Sequence, residues 1–352
     1  MGSIVKGLLT GLLVLAATSG SASAQSSAIV DGPEVVWNHS LWGKPRSFTA
    51  EVEGLAKFLD ERTGGKFQYN IHWGTLSQPR DNLDGIAVGA FQAANFSSNY
   101  YPGKVEASTG LDLPFLPIDT LHQLARVSDE YMEVPTVRDE FRKWNAMYYM
   151  STAIPLYEVV GKGKPPETFE DWKGMRVRAL GLMADAFREI GIAPIGTPPG
   201  DVFMAMDRGL VDAAAFAYYA HLSYRTYEAA DWYTNGLKVT TGAASGMMFS
   251  VDAYEALPEQ YRALLEEYKA EHGYGIQIAA YEIEQAKAPQ VFQEAGLKEV
   301  VIPPEERKKL ADAGAPPVWK AWVEKMNGYG YDGQALLDFI LDSAERHRDA
   351  SF

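Results

Sequence analysis

Two arginines two residues apart, Arg176 and Arg178, stand in the stretch DWKGMRVRALG, residues 171–181, which otherwise has the pattern of a short strand. A guanidinium is planar and permanently charged, and it can hold a carboxylate through two parallel hydrogen bonds. The run therefore offers an anion-binding group; the plainer alternative is an edge strand facing water. Other reactive chemistry is sparse. The chain has no cysteine, which removes disulfides, thiol catalysis and Cys-ligated metals together. The histidines, at 39, 72, 122, 221, 272 and 347, show neither H-x-x-x-H nor H-E-x-x-H spacing, so a dedicated zinc site is not expected. GAASG (242–246) puts Ser245 one place too late for a nucleophile elbow. GYGYDG (328–333) spells G-x-G-x-x-G, but it follows a helical segment and leaves 19 residues, too few for a dinucleotide-binding unit. No cofactor is expected, no acidic cluster demands a metal, and binding is expected rather than catalysis.

The elements that must position Arg178 follow from composition and periodicity. The 352 residues are 47% hydrophobic and 22% charged, which is globular composition with enough apolar material for two lobes. Residues 1–24 carry Lys6, an apolar run over 8–17 and the ending Ala22-Ser23-Ala24, a secretory signal with cleavage expected before Gln25. A periplasmic location is expected, with no lipid anchor on cysteine and no other segment apolar enough to span a membrane. The formal net charge is −14, and the leader holds one lysine and no acid, so the mature chain is one unit more negative. Such a chain is not expected to coat nucleic acid or an anionic membrane.

EVVWNHS, SFTAEVEGLAKFLDERTGG, KFQYNIHW, DNLDGIAVGA and FQAANFSSNYY alternate strand and helix patterns, implying a mostly parallel sheet with helices on its faces. Ligands of such sheets sit beyond the carboxyl ends of the strands. That makes Asn38, His39, Ser97, Asn99 and Tyr100 candidate ligand contacts. A long strand over 145–166 leaves this lobe, with Ser151 and Thr152 able to face the cleft. A second β/α pattern starts near Thr168, a return crossing follows near 235–254, and a long helix runs through 257–290, with Gly273 and Gly275 as possible bend points. The fold class expected is α/β: a two-lobed binding protein with mixed sheets, crossing hinge strands and a lobe-spanning helix. Residues 25–151 with 240–277 form the first lobe and 152–239 with 278–352 the second. Hinge closure around a ligand suits this layout.

At this point the chain resembles a family, the extracytoplasmic substrate-binding subunits of tripartite ATP-independent periplasmic (TRAP) transporters of the dicarboxylate-binding type. AKFLDERTGGKFQYNIHWGTL, the LDGIAVGAFQAANFSSNYYPG run with LDLPFL, TFEDWKGMRVRALG, and ADAFREIGIAPIGTPPGDVFMAMDRGLVDA carry the resemblance, in family order and spacing. The resemblance implies that Arg178 points into the cleft and pairs with a ligand carboxylate, and that the partners are a small organic anion and the membrane permease subunits. A monomer is expected. Where the family often has Asn, this chain has Phe216, followed by Tyr218 and Tyr219. That exchange disfavours a small C4-dicarboxylate and favours a carboxylate with an aromatic or apolar body, or a zwitterion against the rings; equally, Phe216 on a buried strand is core. Trp232 falls where some 2-oxoacid-binding relatives place an aromatic residue near the ligand. The alternatives are a 2-oxoacid or ectoine-like zwitterion as ligand, and an exported enzyme or sensor subunit on the same scaffold.

Overall fold

The computed structural model describes residues 28–240 and 244–351; the leader expected over 1–24 lies outside them. Eleven strands form two sheets. The first sheet contains β1 (Val35–Leu41), β2 (Phe67–Trp73), β3 (Ala93–Ser97) and β4 (Ala146–Ser151). The second contains β5 (Glu158–Gly161), β6 (Arg176–Arg178), β7 (Ala193–Ile195), β8 (Ala213–Phe216) and β9 (Trp232–Asn235). The chain then returns to the first sheet as β10 (Ser245–Ser250) and to the second as β11 (Lys298–Val301). The strand orders are β2-β1-β3-β10-β4 and β11-β9-β5-β8-β6-β7.

β10 is antiparallel to both its neighbours, and so is β5 in the other sheet. Each odd strand is the one that has just crossed from the opposite sheet, because β5 follows β4 and β10 follows β9. The sheets are therefore mixed, as a two-lobed binder requires. The single long strand expected over 145–166 is divided. Pro155 has no N–H to donate to a ladder, and the segment around it passes between the lobes. The two crossing segments lie side by side, with Tyr157 N donating to Thr240 O at 2.8 Å and Thr152 N to Ser245 O at 2.8 Å.

The helices cover the sheets through their apolar stripes. In the first helix, Ala50–Thr63, Val52, Leu55 and Leu59 are fully buried, and each contributes about 1.5–3 kcal/mol by leaving water. That helix stops where Gly64 takes a left-handed φ of 60°. The long helix contains a π-turn ending at Gly273: Glu259–Tyr268 passes through Lys269–Gly273 into Tyr274–Glu294 without interruption. A side chain at position 273 would meet Met150 Cε at 2.8 Å, so glycine lets the helix press against β4.

The expected lobe boundaries need one correction. Helix Pro304–Gly328 leaves the second lobe and reaches the first, where Trp322 Nε1 donates to Thr109 Oγ1 at 2.9 Å. The final helix, Gly333–Arg346, docks on the first lobe: Glu130 accepts from Ser343 at 2.7 Å and from His347 at 2.8 Å, and Gln123 Nε2 donates to Ala344 O at 2.7 Å. The β/α order of the sequence does not reveal this return, because a closing amphipathic helix fits either lobe.

Where the crossings meet the first and long helices, Glu51 is wholly buried. Its Oε1 accepts from the Thr152 hydroxyl at 2.6 Å, while Oε2 has no partner. Gln277 ties the same region together, accepting from Ala153 N at 2.7 Å and donating to Ser151 O at 3.2 Å. Burial raises the Glu51 carboxyl from 4.5 to about 7. Between those values the folded chain keeps a proton that the unfolded chain releases, so stability falls as pH rises through this window and stays reduced above it. Glu51→Gln has no proton to release. Its stability relative to wild type should rise between pH 5 and pH 8 by up to about 3 kcal/mol, read by chemical denaturation at both pH values. An unchanged difference between the two proteins would refute this.

Candidate functional site

β6 runs parallel between β7 and β8, with Arg178 opposite Ile195 and Ala214. This register puts Arg178 at the carboxyl end of the strand, facing the gap between the lobes. Arg176, at the other end, is exposed and forms a salt bridge with Asp212. The opening stretch thus holds one surface arginine and one buried one.

Arg178 is 2% exposed. Its Nε donates to Thr197 O at 3.0 Å and Nη1 to Ala215 O at 3.3 Å. The guanidinium carbon lies 4.1 Å from the centroid of the Phe216 ring. Among the described residues it has no carboxylate partner. Burial pulls its pKa below the ordinary value, opposed by Tyr157, Tyr100 and Tyr224; it stays a cation.

This cation faces a cavity of about 80 Å³. Trp42, Arg46, Phe48 and Tyr100 line it from the first lobe, and Phe216 and Tyr224 from the second. Ile154, Tyr157 and Ser245 contribute from the crossings. The rings form two groups. Trp42 lies 5.4 Å from Phe48 and 5.5 Å from Tyr100; Phe216 stacks on Tyr224 at 5.8 Å and meets Tyr157 at 6.1 Å. The lobes touch at the rim: a Cβ on Gly181, which has φ +55°, would sit 2.3 Å from Asn99 Oδ1. A larger space of about 430 Å³ lies on the other side of the Ile154–Leu156 crossing. It presents Asp119 and Glu282 against a single lysine, Lys238, and so disfavours an anion; burial raises Glu158 there to about 7.

Of the candidates drawn from the sequence, Arg178, Phe216, Tyr219, Ser97, Asn99 and Tyr100 are brought together on this cavity. The others lie elsewhere. His39 is core, with Nδ1 2.6 Å from the Tyr69 hydroxyl and Nε2 2.6 Å from Asn95 Oδ1; burial lowers its pKa to about 4, so it is neutral. Asn38 bonds His72 at 2.8 Å, across β1 and β2. β1 runs on to Leu41, so both residues fall short of the strand's carboxyl end. Ser151 has both backbone groups engaged, by the Tyr274 hydroxyl and by Gln277, at the hinge. Tyr218 faces the acidic space and donates to Thr234 O at 2.6 Å. β8 ends at Phe216 and a helix starts at Tyr218, so Tyr218 and Tyr219 diverge by a helical step instead of alternating across a strand. Trp232 is 1% exposed and packs edge-on to Trp172 at 6.4 Å.

Arg46, Phe48, Tyr157 and Tyr224 escaped the sequence reading, whereas Trp42 falls within the strand end that the topology marks. The signal for Arg46 and Phe48 was topological too: WGKPRSF directly follows the carboxyl end of β1. Among the described residues, one His/Asp/Glu group has metal-ligating closeness, Glu267 with Glu271 and His272. It is on the outer face of the long helix, and Glu267 is already paired with Arg62.

A two-lobed mixed α/β fold with an arginine at its cleft defines a solute-binding protein. The family comparison agrees: the chain belongs to the bacterial extracellular solute-binding protein family 7, DctP, whose model matches residues 40–325. It is a TRAP-type solute-binding protein. A "Solute-binding protein" of Albidiferax ferrireducens is 27% identical over 296 residues, covering 80% of this chain and 81% of that one. A marine metagenome TRAP solute-binding protein specific for aromatic acid ligands, solved with 3-hydroxybenzoate, superposes with a TM-score of 0.78 at 17% identity, over 90% of this chain and 99% of its own. A TRAP solute-binding protein from Rhodoferax ferrireducens T118, solved with copurified benzoate, gives 0.78 at 20% identity, over 89% and 98%.

The packing of Trp232 makes a prediction. Trp232→Ala should cost about 3–5 kcal/mol of stability, the range for emptying a buried Trp site, and leave the affinity of the folded variant for its acid within a factor of about two. Denaturant melts and calorimetric titration check the two parts; a large affinity loss would return Trp232 to the ligand wall.

Proposed function

We propose that this chain is exported to the periplasm, works as a monomer, and captures an aromatic carboxylate for delivery to TRAP permease subunits. The observation that carries this reading is the buried Arg178 guanidinium, lying over the Phe216 ring without a carboxylate partner among the described residues. A ligand carboxylate completes it through charge-assisted hydrogen bonds. The two aromatic groups then take an apolar body in edge or offset contact. The relatives of like fold solved with benzoate and 3-hydroxybenzoate support the same ligand class.

A zwitterion fits less well. Its cationic end would meet Arg178 over Phe216, or Arg46, whose guanidinium carbon lies 4.8 Å from the Phe48 ring centroid. Turnover is disfavoured too. Among the described residues around the cavity there is no His, Asp or Glu, so none of them offers Ser97 or Ser245 a general base from the cavity wall.

Arg178→Ala should weaken benzoate binding by at least about 2 kcal/mol, the cost of deleting one side of a desolvated charge pair. Titration calorimetry of the mature chain measures this, and an unchanged affinity refutes the anchor. Phe216→Asn removes a ring face from both guanidinium and ligand, and should move the preference from benzoate toward smaller, more polar acids. A thermal-shift panel of benzoates, 2-oxoacids and C4-dicarboxylates reads the change; an unaltered ranking makes Phe216 core only.

A further inference from the structure

The cavity contains a second cation that a monocarboxylate leaves unanswered. Arg46 stands on the first-lobe side, in the loop after β1, opposite Arg178. The two guanidiniums are mounted alike. Arg178 gives hydrogen bonds to two backbone carbonyls and covers Phe216; Arg46 donates through Nη1 to Trp42 O at 3.1 Å and Lys44 O at 2.7 Å and covers Phe48. Neither has a carboxylate partner among the described residues, and Nε and Nη2 of Arg46 have no protein acceptor among them. The fields of both reach the Tyr100 hydroxyl, Arg178 more strongly than Arg46. Glu51 is the buried acid that feels Arg46, and it makes no ion pair with it.

Arg46 is half-buried and held by its own loop carbonyls, the bond to Lys44 lying at the surface, with part of its donor fork unused. That anchoring leaves less ordering entropy to be lost on binding. We infer that the ligand has two anionic ends on one ring: an aromatic dicarboxylate whose first carboxylate binds Arg178 and whose second binds Arg46. This rests on the aromatic-acid reading above and narrows it. The ring lies between the Phe216 and Trp42 groups, and one dianion neutralises both cations as the lobes meet.

Calorimetric titration of the mature chain with benzoate and with benzene-1,2-, 1,3- and 1,4-dicarboxylate at neutral pH tests the inference. At least one diacid should bind tenfold or more tighter than benzoate, the factor that about 1.4 kcal/mol gives. In Arg46→Gln that advantage should vanish, the diacid losing about tenfold more affinity than benzoate loses. Arg46→Lys, which keeps the charge but loses the fork, should retain part of it. Should Arg46→Gln fail to fold, the wild-type ranking and Arg46→Lys still decide. Benzoate binding with no tighter diacid, or an equal loss for both ligands in the Arg46 variants, overturns the inference and leaves the aromatic-acid reading standing. Failure of benzoate and every diacid to bind overturns both.

Discussion

A charge taken out of water without its counter-charge is the constraint on which this molecule turns. An unpaired buried ion costs several kcal/mol even after the surroundings relax. The chain offsets part of that cost at Arg178 with the carbonyls of Thr197 and Ala215 and the face of Phe216. These partners are neutral, so they hold the guanidinium without satisfying its charge. An internal Asp or Glu would stabilise the apo state further and remove the reason to bind an anion. The geometry thus keeps the interaction open for a ligand, and the rest of the fold holds that opening in place.

Two kinds of element carry the restraint. β7 and β8 flank β6 on both sides, so the Arg178 backbone cannot shift without breaking ladders in the second sheet. The crossings and the long helix restrain the opposing lobe. Glu51, Thr152, Gln277 and Tyr274 converge where they meet, and Tyr274 also donates to Asp129 at 2.5 Å. Asp112 does comparable work at the return crossing, accepting from Ser98 at 2.6 Å and from Ala244 N at 2.5 Å. Through these bonds it links the Ser97–Tyr100 rim to the segment that carries Ser245. Polar groups buried at a hinge hold one arrangement more sharply than apolar packing does, since each lost bond strands a donor or acceptor.

The sequence made the fold class readable for physical reasons. Strand and helix periods alternate cleanly through residues 35–100, Gly64-Gly65 marks a helix stop that the structure contains, and Gly273 ends a π-turn in the long helix. That Arg178 faces the cavity while Arg176 faces solvent was readable because the stretch around them resembles a family motif. What failed were positions set by strand ends and by register. His39 and Asn38 were placed at the end of β1, yet three more residues follow Asn38 before the strand stops. Tyr218, placed on a strand, sits in a helix because β8 closes two residues earlier. Arg46 was passed over because a Gly- and Pro-containing loop has no periodicity to read. The final helix misled for a related reason: an amphipathic stripe says that a helix is buried, not on which lobe.

The charge balance sharpens the division between local and global electrostatics. A net charge of −14 repels anions at long range, yet at physiological salt that field fades over about 8 Å. Among the described residues, the cavity wall offers arginines and hydroxyls and no acid. Two buried acids of the hinge and the return crossing are held back: burial raises Glu51 and Asp112 each to about 7, so near neutrality each is about half protonated. The same desolvation that would make an ionised carboxylate costly at the hinge keeps these groups from quenching the arginines. An acidic protein can therefore present a cationic pocket, provided its nearby acids are kept dry and its arginines are kept unpaired.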